Sequence, residues 1–112
     1  RRILRLTNNF MAVNRMKDDA VRLEREEAWL GDAALSLVVR EWILAREGRL
    51  EAGLFAELTS NRFLSRLGPP TAVEAEIGRV YRDGGLEAAR EWIGGRLVPH
   101  FEKNLNRRHG RS

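Results

Sequence analysis

Apolar residues along the chain recur three or four positions apart, and the runs break at glycine and proline, so the pattern predicts helices and no strands. The strongest run covers about 26–46. There Trp29, Leu30, Ala33, Ala34, Leu35, Leu37, Val38, Val39, Trp42, Ile43 and Leu44 occupy more than one face. A helix apolar nearly all round is expected as a central helix or at a subunit contact. Glu47-Gly48 supplies its stop, the glycine being able to take a left-handed cap. A second helix is expected over about 51–67, with Leu54, Phe55, Leu58, Phe63, Leu64 and Leu67 inward, ended by Gly68-Pro69-Pro70 because proline disfavours helical geometry in the residue before it. A third starts at Thr71 with Val73, Ile77, Val80 and Tyr81 on one face and stops at the turn Asp83-Gly84-Gly85. A fourth runs from Leu86 towards Asn104, with Ala89, Trp92, Ile93, Leu97 and Val98 inward and distortion expected at Gly94-Gly95 and Pro99. Phe10, Met11, Val13, Met16 and Val21 suggest a short helix or two over the first twenty residues.

Composition narrows the class. With 112 residues the chain reads as one all-α domain over 1–112, whose ends, about 1–20 and 106–112, are expected to be basic and flexible. No apolar run approaches the roughly 20 residues of a membrane span, and the basic start has no long apolar stretch after it, so neither a membrane partner nor a secretory signal is expected. The absence of cysteine excludes a disulfide scaffold and a thiolate metal site, and is compatible with the cytoplasm, the expected location. Twenty basic against sixteen acidic residues give +4, and only Lys17 and Lys103 are lysines. Arginine presents a planar fork that fits phosphate oxygens, so a polyanionic partner is suggested, although base composition of a genome also enriches arginine. Arg1, Arg2 and Arg5 at one end, and Lys103, Arg107, Arg108 and Arg111 at the other, are either solvated tails or phosphate-contacting arms.

Two carboxylates stand out. Asp32 interrupts an apolar stretch expected to be buried, where an unpaired charge costs several kcal/mol unless it is paired, hydrogen-bonded or bound to metal. The bland alternative is that Gly31-Asp32 caps the start of a helix. Glu74 follows Pro69-Pro70 in Thr71-Ala72-Val73-Glu74, which also matches a capping box. Arg62 and Arg66, one turn apart on a predicted helix, suit either a phosphate backbone or an ordinary solvated face. His100 and His109 are too far apart in sequence for a local metal motif. Trp29 and Trp42 are expected in the core or at a dimer contact.

The stretch 28–41, Ala-Trp-Leu-Gly-Asp-Ala-Ala-Leu-Ser-Leu-Val-Val-Arg-Glu, resembles the signature helix of the ribonuclease III family, built around a central Leu-Gly-Asp-Ala. Downstream, Glu74-Ala75-Glu76-Ile77-Gly78 followed by Tyr81 and Asp83-Gly84-Gly85 resembles that family's second motif, and Ser60-Asn61-Arg62-Phe63-Leu64 resembles its intervening helix. The resemblance covers about 24–105. It implies an all-helical homodimer formed through the signature helix, and magnesium- or manganese-dependent hydrolysis of double-stranded or structured RNA, with Asp32 and Glu74 as metal-binding, catalytic carboxylates. Arg62, Arg66, Arg107 and Arg108 become candidate RNA contacts. Classical members carry two further carboxylates where this chain has Ala28 and Thr71; the Mini-III branch resembles this chain at both places and likewise lacks a double-stranded-RNA-binding domain, which implies a role in ribosomal RNA maturation. Leu67-Gly68-Pro69-Pro70 bridges directly to Thr71 where the family has a longer, RNA-contacting segment. The alternative implied by the half set of carboxylates and the shortened middle is a catalytically degenerate domain that binds RNA or assembles with other molecules. Glu24, Glu27 and Glu76 are sources of extra charge, but Glu27 lies about 140° round an ideal helix from Asp32 and substitutes poorly for the absent ligand.

Overall fold

The computed structural model describes the backbone of residues 2–109 and the side chains of 11–107. It is all-helical, with no strand among the described residues: α1 Arg2–Glu47, α2 Ala52–Leu58, α3 Asn61–Leu64, α4 Pro70–Arg96 and α5 Val98–His109. No described helix is long and apolar enough to cross a membrane.

The largest departure from the sequence reading is α1. The expected short N-terminal helices and the expected helix over 26–46 are one continuous element of 46 residues. At 1.5 Å per residue such a helix is about 69 Å long, and it sets the longest dimension of the chain, 73 Å against 29 and 21 Å for the other two. No proline or unsupported glycine interrupts it: Gly31, its one interior glycine, is buried in a helix crossing. Its two halves meet different environments. Ala34, Leu35, Val38, Val39 and Ile43 enter the core, whereas every described residue from Met11 to Glu26 is exposed.

The expected second helix is divided. Thr59 and Ser60 break it, and Ser60 caps α3 by accepting a hydrogen bond from the Phe63 backbone N–H at 3.1 Å. Serine favours this because its side chain competes for backbone groups at a helix start. Pro70 opens α4 at a position where the missing N–H is no loss. The expected stop at Asp83-Gly84-Gly85 is a sharp bend inside α4, carried by Gly85 at φ 77°. The two limbs fold back on each other. Arg96 reaches Glu76 at 3.8 Å, although twenty residues of straight helix would separate them by about 30 Å. The chain breaks again at Leu97 before α5.

The core lies between α1 and these limbs. Phe101 of α5 is its hub, with its ring 5.3 Å from Trp42 and 5.2 Å from Phe63. Ile77, Ile93, Leu58, Leu64 and Leu97 close around it, all essentially without exposure. Trp42 is thus a half-buried core residue, as expected. Trp29 is not: 78% of it is exposed. Tyr81 is also exposed, leaving Val73 and Ile77 to hold the inward face of the first limb of α4. Arg90 ties the second limb to α1 through two hydrogen bonds to Glu41, at 3.1 and 2.9 Å, and this holds the Glu41 carboxyl below its ordinary pKa.

The tightest feature is the crossing of α1 and α4. A Cβ on Gly31 would lie 1.7 Å from the Glu74 carbonyl oxygen, and a Cβ on Gly78 would lie 1.9 Å from the Glu27 carbonyl oxygen. Neither position holds a side chain. We expect Gly31→Ala or Gly78→Ala to cost at least about 3 kcal/mol, above the usual range for overpacking because backbone faces backbone. Gly53→Ala, in the first turn of α2 with nothing within 4 Å, should instead stabilise by about 0.5 kcal/mol. Chemical denaturation of the three variants checks both signs.

Candidate functional site

The crossing determines what the two carboxylates do. Glu27 and Gly31 are one turn apart on α1, and Glu74 and Gly78 are one turn apart on α4. Each glycine packs on the backbone of the other helix's glutamate. Asp32, next to Gly31, is therefore carried alongside the Glu74 side chain, although 42 positions separate them in sequence. Asp32 is exposed and Glu74 is half-buried.

This arrangement corrects three expectations. Asp32 was expected in a buried stretch, but it lies on the solvent side of α1, because the core is met by Leu35, Val38 and Val39 from another face. Gly31-Asp32 does not cap a helix: both residues lie in the middle of α1, whose backbone donors are satisfied along the helix. Thr71 and Glu74 form no capping box either. The cap position of α4 is Pro69, without a side-chain hydrogen bond, and Thr71 sits exposed inside the first turn.

The electrostatics of the pair are unusual. Partial burial, reinforced by a hydrogen bond to Asp32 and by the Asp32 charge, pushes the Glu74 carboxyl up to about 7. Below that value the protonated Glu74 donates to Asp32; above it, two negative charges face each other. No arginine or lysine forms an ion pair with either group among the described residues. Of the other acids near the crossing, Glu27 and Glu76 have basic partners. Glu27, the one charged side chain buried among the described residues, accepts from Arg79 Nη1 at 3.2 Å. Glu76 faces Arg96, and Glu24 is exposed on the N-terminal half of α1. Ala28 is buried and Thr71 exposed, and neither can ligate a cation as a carboxylate would.

Among the described residues no group of three or more His, Cys, Asp or Glu side chains is arranged to hold a metal ion. The donor set is thus two carboxylates, one of them basic for its type. Magnesium takes oxygen ligands, keeps several waters and needs few protein carboxylates, so the chemistry of the pair suits it without a complete cage.

The other candidate residues are dispersed. Arg62 lies on α3 and Arg66 in the turn after it; both are exposed, and the Arg66 guanidinium rests 4.6 Å from the centroid of the Phe63 ring. Arg107 is exposed on α5, and His100 is half-buried at the start of that helix. The side chains of Arg1, Arg2, Arg5, Arg108, His109 and Arg111 lie outside the described residues. Sequence reasoning missed the Glu27–Arg79 and Glu41–Arg90 pairs. It also missed the glycine crossing, for which a signal was present: Glu-x-x-x-Gly occurs at 27–31 and again at 74–78. Compared with family models, curated proteins and solved structures, the chain gives no match in any of the three.

The raised pKa of Glu74 has a signed consequence. An acid whose folded value, about 7, exceeds its ordinary 4.5 contributes stability fully at acid pH, and that contribution is lost as pH rises through 7. With chelator present, the melting temperature of the native chain should therefore carry a downward component from pH 5 to pH 8 that Glu74→Gln removes. An unchanged slope in the variant would mean that the folded chain does not raise the Glu74 carboxyl, whether by burial or by Asp32.

Proposed function

We propose that the chain is a metal-dependent endoribonuclease of ribonuclease III type that hydrolyses double-stranded or structured RNA as a homodimer, with ribosomal RNA precursors, the Mini-III role, as the expected substrate. One observation carries the reading: two acids expected to act together, Asp32 on α1 and Glu74 on α4, stand side by side without a basic partner among the described residues. Asp32 and Glu74 would hold the ion. Bound magnesium supplies an activated water and offsets charge on the phosphate and the leaving oxygen. The residues' own part is to provide oxygen donors at a helix crossing too tight to shift. Asp32 contributes a permanently accessible carboxylate, and Glu74 contributes one whose ionisation near pH 7 couples cation binding to proton release. Exposed Arg62, Arg66 and Arg107 are available to the phosphate backbone.

The homodimer reading is supported by the face of α1 that turns away from the core. It exposes Trp29, Ala33, Leu37 and Leu44, an apolar surface on a helix already buried on its other side. A second functional reading has a specific observation in its favour. Two carboxylates, with Ala28 and Thr71 at the other two family positions, are half of the classical set, and no third acid or histidine joins them among the described residues. On that reading the chain binds structured RNA without cutting it.

Cleavage of a labelled RNA duplex with magnesium, manganese or chelator, beside Asp32→Asn and Glu74→Gln, separates the two. We expect metal-dependent cutting that falls at least about 100-fold in either variant, with duplex binding retained. Because protons compete for Glu74, metal affinity should rise about ten-fold between pH 6 and pH 8. Binding without cutting under every metal condition would move the assignment to the non-catalytic reading.

A further inference from the structure

The crossing of α1 and α4 fixes a register that reaches past the acid pair. Gly31 packs on the backbone of Glu74 and Gly78 on that of Glu27, so the two helices run in opposite directions there. Continued two residues beyond Glu27 and Gly78, this register sets Arg25 of α1 level with Val80, beside Tyr81 of α4. Arg25 stands seven positions before Asp32, and Tyr81 seven positions after Glu74. Seven residues return an α-helix to within about 20° of the same face, and advance it about 10.5 Å. The faces that join the two acids therefore place a guanidinium and a phenol together on one side of them, towards the N-terminal half of α1.

Arg25 is uncommitted in acidic surroundings. Residues 18–27 hold five acids, Asp18, Asp19, Glu24, Glu26 and Glu27. Yet the positions one turn from Arg25, where helical ion pairs form, are Val21, Arg22, Ala28 and Trp29. Arg22 is matched by Asp19 at 3.3 Å and Arg79 by Glu27 at 3.2 Å. Arg25 is exposed and has no ion pair among the described residues. Arg40, eight positions beyond Asp32 on α1, lies over the Phe55 ring at 4.0 Å. Tyr81 is 40% exposed, although the residues a turn before it, Ile77 and Gly78, are buried.

We propose that Arg25 and Tyr81 hold a backbone phosphate of the RNA strand that passes over the Asp32–Glu74 pair. This rests on the RNA reading above. Two carboxylates without a basic partner repel a polyanion, so a strand that approaches them needs a grip outside the pair. Arginine presents a planar fork that matches phosphate oxygens, and the phenol of tyrosine donates one further hydrogen bond. Phosphates on a duplex strand recur every few ångströms, about 3.4 Å of axis in B-form DNA. A group about 10.5 Å from the acids along the helix therefore meets a phosphate a few nucleotides away on the same strand, and leaves the one at the acid pair to the metal ion.

The test is equilibrium binding of a labelled RNA duplex, in chelator, from about 50 to about 200 mM salt. The native chain is compared with Arg25→Gln, Arg25→Lys, Tyr81→Phe and Arg49→Gln, with circular dichroism confirming native helicity. Arg49, held by Glu51 at 2.7 Å beyond the other end of α1, controls for the loss of one charge. Arg25→Gln should bind about ten-fold more weakly at about 0.1 M salt, and its slope of log affinity against log salt should be shallower by about one, as for one lost phosphate contact. Arg25→Lys should keep most of that slope. Tyr81→Phe should weaken binding about three-fold at an unchanged slope, because an uncharged donor releases no counterion. Arg49→Gln should change neither quantity. A native slope in Arg25→Gln, or an equal fall in Arg49→Gln, would overturn the contact while leaving the RNA reading intact. Native affinity in Tyr81→Phe would overturn the part given to the tyrosine. A native chain that binds no duplex would overturn the proposal and the RNA reading together, whereas Arg25-dependent binding without metal-dependent cutting would uphold the contact and overturn the nuclease reading.

Discussion

Two glycines hold this structure together by what they lack. Gly31 and Gly78 let α1 and α4 approach until the backbone of each helix rests on the other, inside the spacing of about 8–10 Å that side chains normally impose. The contact is reciprocal: each glycine meets the carbonyl of the glutamate one turn before its counterpart. At that range the glycine Cα–H groups face carbonyl oxygens, a weak interaction but one that recurs where helices cross closely. The stabilisation lies less in those contacts than in what the approach permits. With the helices drawn together at one end, Leu35, Val38 and Val39 can reach Val73, Ile77 and Ile93 farther along, and α5 can seat Phe101 among them.

The same approach has an electrostatic consequence. Drawing the helices together brings three carboxylates into a small region, and the chain resolves them in two ways. Glu27, the most buried, is matched by Arg79, since an unpaired charge there would not be tolerated. Asp32 and Glu74 are left facing each other, and the mismatch appears as a carboxyl that ionises near neutrality. A fold concerned with stability alone would have placed a cation or an amide beside them. Leaving the pair uncompensated while compensating its neighbour is the pattern expected where structure yields to chemistry.

α1 carries both properties in one element. Its inward face meets the crossing and the core. Its outward face exposes Trp29, Leu37 and Leu44, and the described side chains of its N-terminal half, from Met11 on, are exposed. An isolated helix of that composition draws little stability from propensity, because helices in water depend on packing of an apolar face. The chain's extent of 73 Å against a width of 29 Å is the outward sign of a helix longer than the domain it belongs to. The crossing brings Asp32 beside Glu74, and the length of α1 exposes its N-terminal half.

The helical class, the existence of most elements and the identity of the two acids were legible in the sequence, because helical periodicity and an acid inside an apolar run are local facts. Gly68-Pro69-Pro70 and Asp83-Gly84-Gly85 marked a stop and a bend for the same reason: the backbone restrictions of proline and glycine act on the residue itself and its neighbour. Tertiary structure decided everything that depends on which face meets which. Periodicity near 3.6 cannot say which of several apolar faces is buried, so Asp32, expected in a buried stretch, lies outward, and Trp29, expected in the core or at a dimer contact, is exposed. Local capping preferences cannot see that α1 continues through Gly31-Asp32, or that Pro69 already occupies the cap before Thr71. The juxtaposition of Asp32 with Glu74, and the pairing that removes Glu27 from their company, arise from backbone contact between segments about fifty positions apart, and only the folded chain brings such segments together.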